Sequence, residues 1–370
     1  MTLALAAAAK NTKNAAERTC KIMKTILRKV DPQQPDAAII AEGAEILKRG
    51  GLVAFPTETV YGLGGNGLDS EACKGIYLAK GRPSDNPLIL HISQISELRP
   101  IVREFPAAAQ KLIDAFWPGP LTMILARRDV VPDVVTAGLD TVGMRCPAHA
   151  LCRAILRDAD VPVAAPSGNT SGRPSPTSAA HMWEDMDGKI DAIVDGGPCA
   201  VGVESTIVDL SCDSPRLLRP GGVTLEQLEA VLGDVEVDPA VTRLMGAGEK
   251  PRAPGMKYRH YAPKAPVTVV AGEPSKSAGY ILDHAAPEDG IICFDEFVPL
   301  FTKRHEMRPV MNLGPSADKA EQARHIFDAL RSFDHTAVKA IWAQCPDAAG
   351  IGLAIANRLN KAAGFHIIEV

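Results

Sequence analysis

Residues 51–91 constrain the fold more than any other part of the sequence. An apolar run at Leu52–Phe55 predicts a strand, which Pro56 ends before a Thr-Glu-Thr turn, a glycine-rich segment and a short helix. Polar and charged side chains come next: Lys80, Arg82, Asn86 and His91. Arginine binds phosphate through parallel N–H groups, lysine supplies a point charge, and glycine lets backbone N–H groups come close. The stretch therefore predicts a site for a phosphate-bearing ligand.

A dinucleotide-binding pattern lies within the same stretch. Gly62, Gly64 and Gly67 match G-x-G-x-x-G after a predicted strand and before a predicted helix. However, Pro56 and the Thr-Glu-Thr turn interrupt the strand, and Asp85 lies in an S-D-N-P loop instead of ending a second strand. A dinucleotide site of the Rossmann type is therefore the less favoured interpretation.

The composition is that of an ordinary soluble globular protein. The chain has 370 residues, enough for two domains of the usual ~100–200 residues, and 46% of them are hydrophobic. The net charge of −4 creates no overall field that would recruit nucleic acid, so a contact with RNA has to be local. No apolar run approaches the ~18 residues of a membrane span.

The cysteines indicate a reducing compartment. They are scattered, with neither a C-x-x-C pair nor a zinc-ligand spacing, and most lie in apolar segments. We therefore expect small core residues in a cytoplasmic protein. The positions are 20, 73, 146, 152, 199, 212, 293 and 345.

Residues 1–30 carry seven lysines and arginines against one acid, Glu17. The apolar LALAAAA near the start has no preceding charge, which argues against a secretory signal. A mitochondrial transit segment over residues 1–22 stays open as an alternative. The favoured interpretation is an extension upstream of a second start at Met23 that function does not require.

Apolar periodicity and turn residues predict alternating helices and strands. The predicted helices are Ala37–Arg49, Glu71–Lys80 with Ser70 as its cap, Ala107–Phe116, Ala148–Leu156, Leu225–Leu232, Ala317–Ser332 and Leu353–Ala363. The predicted strands are Leu52–Phe55, Leu88–Ile92, Leu121–Ala126, Val142–Arg145, Val161–Ala164, Ile190–Asp195, Glu204–Leu210, Val267–Ala271, Ile291–Phe294 and Val338–Gln344.

Two irregular segments lie between these elements. The loop PSGNTSGRPSPTS (166–178) has the composition of a flexible linker, but apolar elements bracket it and it contains Arg173, so we favour an ordered loop. The segment 224–266 is dense in Pro, Gly, Lys and Arg after residue 246, and aromatic and cationic residues alternate at 258–261. A charged linker is usually a solvated spacer, yet Tyr and Arg side chains can fold over a base or a phosphate, so both roles stay open.

These boundaries divide the chain into an N-terminal extension (1–36), a first domain (37–223), a linker or lid (224–266) and a smaller αβ domain (267–370). The last carries no catalytic constellation and is expected to be a regulatory or scaffold module.

Several catalytic signatures are missing from the sequence. It contains no P-loop, no H-E-x-x-H and no kinase pattern, and its nine histidines are dispersed. Taken alone, His91 on its strand is better explained as a core histidine than as a ligand. The predicted site has hydroxyls and cations without an obvious nucleophile, so it would work by positioning and electrostatic stabilisation.

With these motifs in order along the chain, the sequence resembles the Sua5/YrdC/YciO family, in the two-domain layout of its Sua5 type. The resemblance implies a twisted mixed-sheet α/β first domain and a Rossmann-like αβ second domain. The matching segments are FPTETVYGLG (55–64), KGRPSDNPLILHI (80–92), FWPGPLT (116–122), VGMRCP (142–147), APSGNTSGRPSPT (165–177), GVESTIVDL (202–210), LLRPG (217–221) and APGMKYRHYAP (253–263).

The resemblance also implies a reaction. L-threonine, bicarbonate and ATP, with Mg²⁺ on the ATP phosphates and no metal ligand from the protein, would give L-threonylcarbamoyl-AMP and pyrophosphate. The product would supply the t6A37 modification of tRNA through partner transferase proteins, with any contact to tRNA itself weak or indirect and none to a membrane.

Position by position, the resemblance assigns the substrates to named residues. L-threonine would be held by Thr59, His91, Arg145 and Ser205. ATP would contact Arg82, Asn86, Thr141, Ser167, Ser175, Arg219 and Tyr261, with Lys80 and Arg82 acting at the phosphates during catalysis. Tyr261 would make the linker a lid that crosses the pocket.

Two other classes of protein stay open. One is a YrdC-like RNA-binding module without synthase activity, which the balanced charge and the lack of a wide basic stripe argue against. The other is a carbamoyl transferase with a different acceptor, whose usual zinc-finger-like or acylphosphatase segments do not occur in this sequence.

Overall fold

The computed structural model describes residues 24–31, 34–246, 251–256, 260–304 and 308–370. Its helices are α1 Ala37–Lys48, α2 Ser70–Lys80, α3 Ala107–Phe116, α4 Asp133–Thr136, α5 Ala150–Ala159, α6 Ala179–Met186, α7 Leu225–Leu232, α8 Pro274–His284, α9 Val298–Arg304, α10 Lys319–Ser332 and α11 Gly352–Ala362. Its first eleven strands are β1 Ile26–Lys29, β2 Val53–Pro56, β3 Tyr61–Asn66, β4 Ile89–His91, β5 Leu121–Ala126, β6 Thr141–Arg145, β7 Val163–Ala164, β8 Ala192–Asp195, β9 Thr206–Asp209, β10 Arg216–Arg219 and β11 Glu236–Val237. The remaining strands are β12 Val267–Ala271, β13 Gly290–Cys293, β14 Val310–Asn312, β15 Ile341–Cys345 and β16 Ile367–Glu369.

The first domain is built on a mixed sheet of eleven strands in the order β1-β8-β2-β3-β7-β4-β6-β5-β9-β10-β11. The sheet contains both parallel pairs, such as β4 with β6, and antiparallel pairs, such as β5 with β6. The predicted mixed α/β fold is confirmed. The sheet brings the ends of β4, β6, β9 and β10 together, although long stretches of chain separate them.

The glycine-rich segment is a strand, where the sequence predicted an open segment with accessible amides. Strand β3 pairs antiparallel with β2, and Val53 faces Gly64 in the register. A Cβ on Gly64 would lie 2.5 Å from Cε1 of Phe55, and one on Gly67 would lie 2.4 Å from Cδ2 of Leu90. The glycines therefore make room for close packing, and the hairpin excludes a Rossmann dinucleotide turn, which needs a strand leading directly into a helix.

Helix α2 delivers two cations to one place. Its N-terminal cap is Asp69 rather than the predicted Ser70, because the Asp69 carboxylate accepts bonds from the backbone N–H groups of residues 71 and 72. Gly81 ends the helix in the left-handed conformation with φ of 61°. Lys80, on the last turn, is buried, and Arg82 follows immediately after the stop.

Part of the predicted N-terminal extension belongs to the first sheet. Strand β1 pairs in parallel with β8, and the hydroxyl of Thr25 donates to the carbonyl of Ile190 at 2.8 Å. The prediction that residues 1–36 form an extension is therefore wrong for residues 25–29, whose short edge strand gave no apolar run in the sequence. Residues 1–23, which include the predicted start at Met23, lie outside the described residues.

The second domain has a parallel sheet of five strands in the order β14-β13-β15-β12-β16. Helices α10 and α11 were predicted within two residues of their observed bounds. Helices α8 and α9 and strands β14 and β16 were missed, since the strands have only three residues each.

The start of the predicted linker packs on the first domain. Helix α7 lies against α3, and β11 adds a parallel strand to β10. The irregular chain begins only after residue 241. Residues 247–250 and 257–259, including Tyr258 and Arg259 of the predicted aromatic and cationic cluster, lie outside the described residues.

The described cysteines fit the prediction of small core residues. All are free thiols, six are buried and Cys212 is partly exposed. Burial raises the pKa of Cys73 to about 12, so this thiol stays protonated. Cys20 is outside the described residues. Within the described part of the chain, none of the helices is long and apolar enough to cross a membrane.

Candidate active site

A pocket of about 680 Å³, partly open to solvent, lies where strand ends of the first domain meet the segment leading to the second. The predicted site residues on its surface are Lys80, Arg82, His91, Arg145, Ser167, Ser205, Arg219 and Tyr261. Other residues on its surface include Thr57, Val60, Gly62, Asn169, Ser171, Glu204, Pro254, Gly255 and His260. The sequence therefore predicted most of the positive charge in this pocket.

The turn between β2 and β3 presents Thr57 to the pocket. Its hydroxyl donates to the carbonyl of Val60 at 2.6 Å and accepts from the backbone N–H groups of Thr59 and Val60, each at 3.2 Å. Thr59 is fully buried, with its hydroxyl 2.8 Å from that of Thr57. Thr59 thus supports the residue that lines the pocket, and the sequence could not say which of the two hydroxyls faces inward.

Arg145 and His91 stand side by side on paired strands at one end of the pocket. Nη2 of Arg145 donates to Oε1 of Glu58 at 2.7 Å, while the other oxygen of Glu58 accepts from the N–H of Ala148 at 3.1 Å. Nδ1 of His91 lies 3.3 Å from the carbonyl of Ile89. Burial and the neighbouring Arg145 lower the pKa of His91 to about 3, so its imidazole is neutral near pH 7. This end offers one fixed guanidinium beside a neutral ring.

Lys80 ties the hydroxyl-rich loop to helix α2. Its Nζ donates to the carbonyls of Ser167 and of Asn169, the latter at 2.5 Å. Burial and the nearby Arg82 lower the pKa of Lys80 well below its usual value. Thus Lys80 contacts the pocket and also fixes the loop that forms one wall.

Arg82 lies next to Lys80. Its Nη2 donates to the carbonyls of Asn86 at 3.1 Å and Pro87 at 3.0 Å, and the guanidinium is 6.0 Å from the ring centre of Tyr77. Burial lowers the pKa of Arg82 to about 10, which still leaves it charged at neutral pH. Nε of Arg82 and Oδ1 of Asn86 are both buried, with no hydrogen-bond partner among the described residues.

The loop at 166–178 is ordered, as expected, and hydrogen bonds within the loop and from Arg173 hold it. The hydroxyl of Ser167 donates to Oδ1 of Asn169 at 2.7 Å, and the amide nitrogen of Asn169 donates to the carbonyl of Arg173 at 2.8 Å. The guanidinium of Arg173 bonds to Asp185 at 2.5 Å and to Asp334 at 3.1 Å. Arg173 therefore anchors the loop and is not on the pocket surface.

Glu204, Ser205 and Arg219 form the other end of the pocket. Arg219 donates to the carbonyl of Ser205 at 2.9 Å and to its hydroxyl at 3.2 Å, and that hydroxyl is 2.8 Å from the hydroxyl of Thr122. Glu204 accepts from the hydroxyl of Ser175 at 2.5 Å and from Nε of Arg358 at 2.7 Å. Ser175 is fully buried and reaches the pocket only through Glu204.

Residues of the linker cover this end. Tyr261 has a left-handed backbone, with φ of 64°, and its ring centre lies 5.3 Å from that of Phe327 in the second domain. Its side chain is buried. Pro254, Gly255 and His260 line the pocket beside it. The described residues of the segment thus line the pocket, while its action as a lid stays a prediction.

Three predicted ATP contacts are not on the pocket surface: Ser175, described above, Asn86 and Thr141. Asn86 is 1% exposed and contributes its carbonyl to Tyr77 and Arg82. Thr141 begins β6, four residues and about 13 Å of extended strand before Arg145. The sequence analysis also missed Thr57, Asn169 and Glu204. All three belong to quoted motifs, so their hydroxyl, amide and carboxyl groups were the available signal.

Comparison with known proteins places this chain in a family. A family model described as telomere recombination, of the Sua5, YciO and YrdC proteins, matches residues 45–221. A second, described as the C-terminal domain of threonylcarbamoyl-AMP synthase, matches residues 223–364. The chain belongs to the Sua5/YrdC/YciO family. The second match shows the two-domain form that the sequence predicted.

Similar proteins extend over nearly the whole chain. The threonylcarbamoyl-AMP synthase of Pyrococcus abyssi (strain GE5 / Orsay) is 47% identical over 329 residues, which cover 88% of this chain and 94% of the relative. That of Bacillus subtilis (strain 168) is 46% identical over 342 residues, covering 92% and 95%. The crystal structure of P. abyssi Sua5 complexed with L-threonine is 44% identical, with a TM-score of 0.86, and covers 94% of this chain and 100% of that one.

Proposed function

We propose that this protein makes L-threonylcarbamoyl-AMP from L-threonine, bicarbonate and ATP. The amine of threonine adds to bicarbonate with loss of water and gives a carbamate. A carbamate oxygen then attacks the α-phosphorus of ATP, and pyrophosphate leaves. Because AMP is transferred to the carbamate, the enzyme is a nucleotidyltransferase. The names of the relatives and the threonine bound to P. abyssi Sua5 support this proposal.

The observation that carries the proposal is the convergence of four basic side chains on one pocket: Lys80, Arg82, Arg145 and Arg219. A carboxylate, a carbamate and a triphosphate are all anions, and their reaction needs charge neutralisation and alignment more than an enzyme nucleophile.

We assign the end with Arg145 to L-threonine. A guanidinium fixed by Glu58 can bind the threonine carboxylate through its remaining N–H groups. The neutral imidazole of His91 adds no positive charge that would compete for the substrate's anionic group. A contact between threonine and Ser205 stays a prediction, because that hydroxyl lies beside Arg219 at the other end of the pocket. Thr57, on the pocket surface, would take the role predicted for Thr59.

We assign the cations and hydroxyls around the loop at 166–178 to ATP. Arg82 and Arg219 would bind phosphate oxygens, with Lys80 at the same group and the hydroxyl of Ser167 as a further donor. Tyr261 would close over the nucleotide. Asn86 and Ser175 would act indirectly, Asn86 through Arg82 and Ser175 through Glu204. A contact between ATP and Thr141 stays a prediction.

Mg²⁺ is proposed to enter with ATP on the phosphate oxygens, where it neutralises charge as pyrophosphate leaves. The donor set fits this role, because Glu204, the carboxylate on the described pocket surface, already accepts bonds from Ser175 and Arg358. Oxygen ligands for the ion would therefore come from phosphate and water.

The product is a reactive mixed anhydride, so a further enzyme has to accept it promptly. We propose that partner transferases carry it to tRNA for t6A37 formation in the cytoplasm, with tRNA bound to this chain weakly or indirectly. Residues 1–22, the alternative mitochondrial segment, lie outside the described residues.

Pyrophosphate release by the purified protein tests the proposal, with threonine and bicarbonate omitted one at a time. We expect release to need both, and serine to replace threonine poorly. Release without threonine would indicate a different acceptor, and tRNA binding without any release would favour the RNA-binding module.

The site assignment has its own test. Arg82→Ala should lower kcat/KM for ATP by about 100-fold, since a charge-assisted bond to phosphate is lost. Arg103→Ala is the matched control, because that side chain is 57% exposed and its nearby carboxylate is the exposed Glu104. Undiminished activity of Arg82→Ala would contradict the assignment.

A further inference from the structure

Helix α11 of the second domain carries three buried polar residues that face the first domain: Asn357, Arg358 and Lys361. Their exposed fractions are 3%, 0% and 4%. Charged side chains are rarely buried so fully unless partners hold them. The partners here lie in or beside the pocket, although none of the three residues is itself on the pocket surface.

Arg358 joins separate parts of the pocket wall. Its Nε donates to Oε2 of Glu204 at 2.7 Å, and its Nη2 donates to the carbonyl of Pro220 at 3.0 Å. Its Nη1 is held by Oδ1 of Asn357 at 2.9 Å. The guanidinium also lies 5.4 Å from the ring centre of Tyr261, within the range of a cation–π contact.

Arg358 decides the charge of Glu204. Burial alone would raise the pKa of this carboxyl, but Arg358 and Arg219, with the bond from Ser175, hold it at about 2. The carboxylate is therefore ionised at every pH at which the enzyme would work, and it is too weak a base to take a proton from substrate. Its role is to be a fixed negative charge beside Arg219.

The other contacts of the helix hold the lid. Lys361 donates to the carbonyl of Gly255, and Asn357 donates to the carbonyl of Val241 at 2.7 Å. Tyr261 adopts a left-handed backbone, which a bulky residue keeps only when its surroundings fix it. Those surroundings include Phe327 and Arg358 of the second domain.

We propose that helix α11 positions the nucleotide end of the pocket, and that Arg358 is the positioning residue on which this depends, acting through Glu204 and Tyr261. This inference rests on the proposed function, because it takes the end with Glu204 and Arg219 as the one that binds ATP. Arg358 touches no substrate in this arrangement.

The matched control is Arg331. It is also a buried arginine of the second domain, 1% exposed, and it also crosses to the first domain, where Nη2 bonds to Asp185 and to the carbonyl of Pro174. Its partners are not on the pocket surface, and it reaches the loop at 166–178 at Pro174 and not at the pocket-lining Ser167 or Asn169. A purely structural role for interdomain arginines predicts equal effects at both positions.

The experiment compares Arg358→Met with Arg331→Met in the full-length protein, below the unfolding temperature of each variant. We expect Arg358→Met to lower kcat/KM for ATP by about 30-fold, and Arg331→Met by less than about threefold. The KM for threonine should change by less than about twofold in both. Arg358→Met should also acquire an acid limb in its pH profile that the wild type lacks, because Glu204 loses a stabilising cation.

Further variants complete a double-mutant cycle for Glu204 and Arg358. Glu204→Gln combined with Arg358→Met should be no worse than Arg358→Met alone, since removing both partners leaves no unpaired charge. If Arg358→Met does not fold, Arg358→Lys and Glu204→Gln carry the comparison, with Lys expected to keep the wild-type pH profile. Equal losses in the Arg358 and Arg331 variants, or a wild-type kcat/KM in Arg358→Met, would overturn the proposal.

Failure of the proposed function is visible separately. If the wild type releases no pyrophosphate with threonine and bicarbonate, binding of a non-hydrolysable ATP analogue decides the present inference instead. Weaker binding by Arg358→Met than by Arg331→Met supports it, and equal binding overturns it.

Discussion

Each end of the pocket contains a buried Arg–Glu ion pair, and the two pairs have opposite orientations. At one end Arg145 faces the pocket and Glu58 stands behind it, and at the other Glu204 faces the pocket and Arg358 stands behind it. The N–O distance is 2.7 Å in both. One pair thus presents a cation to the ligand, and the other presents an anion.

The pairs also differ in origin. Both members of the first lie in the first domain, within the residues matched by the same family model, whereas Arg358 comes from the second domain. A site for a small amino acid can therefore be complete within one domain, while the site assigned to the nucleotide depends on two. The comparison shows that the second domain, whose described residues form no catalytic constellation, contributes to this pocket wall through Arg358.

The largest expected effect is at Arg145. Arg145→Ala should lower kcat/KM for threonine by about 100-fold, because the substrate carboxylate loses a charge-assisted partner. Binding of ATP should change little, which would separate the two ends. The measurement is the rate of pyrophosphate release at varied threonine concentration. Thermal unfolding is the control, because the variant leaves Glu58 buried without its partner. A loss shared equally by ATP and threonine would break the comparison.

Acid should disturb the threonine end first. The pKa of His91 is about 3 when folded against 6.5 when exposed, so the unfolded chain binds the proton more readily and stability falls as pH drops below 6.5. For Glu204, with a pKa of about 2 when folded against 4.5 when exposed, the stability present above pH 4.5 is lost progressively as the pH falls from 4.5 to 2.

The variant His91→Gln tests how much the lowered pKa of His91 contributes to the loss of stability in acid. Between pH 6.5 and about pH 4.5 the free energy of unfolding should fall by about 2–3 kcal/mol less in the variant than in the wild type. Urea unfolding at the two pH values checks it. Parallel losses in both proteins would mean that His91 is already protonated in the native state.

A smaller effect is expected behind Arg145. Glu58→Gln keeps the shape of the side chain but removes the charge that holds the guanidinium, so KM for threonine should rise by about tenfold. KM for ATP should stay unchanged. A rise confined to ATP would reverse the assignment of the two ends.

The smallest effect is expected from a hydrogen bond that holds helix α11 in place. Asn357→Ala removes the bond to the carbonyl of Val241 and should reduce the free energy of unfolding by about 1 kcal/mol. Kinetics with threonine should be those of the wild type. A tenfold rise in KM for threonine would show that the second domain also shapes the first end.

The sequence predicted the periodic elements and most of the pocket cations, because apolar spacing and motif residues are local signals. It did not predict strand β3, whose glycines lack the β-branched residues typical of strands. The choice between Thr57 and Thr59 depended on the dihedral angles of one turn. The partner of Glu204 left no local pattern, since Arg358 lies on an ordinary amphipathic helix of the other domain.

The pairing of Glu204 with Arg358 also has a consequence for synthesis of the chain. The two residues are 154 positions apart, so at about 5–20 residues per second Glu204 leaves the ribosome roughly 8–30 seconds before its partner. During that interval the first domain can collapse around a carboxylate that has Arg219 nearby but lacks the guanidinium of Arg358. The nascent enzyme therefore acquires its nucleotide end last, when translation has delivered helix α11.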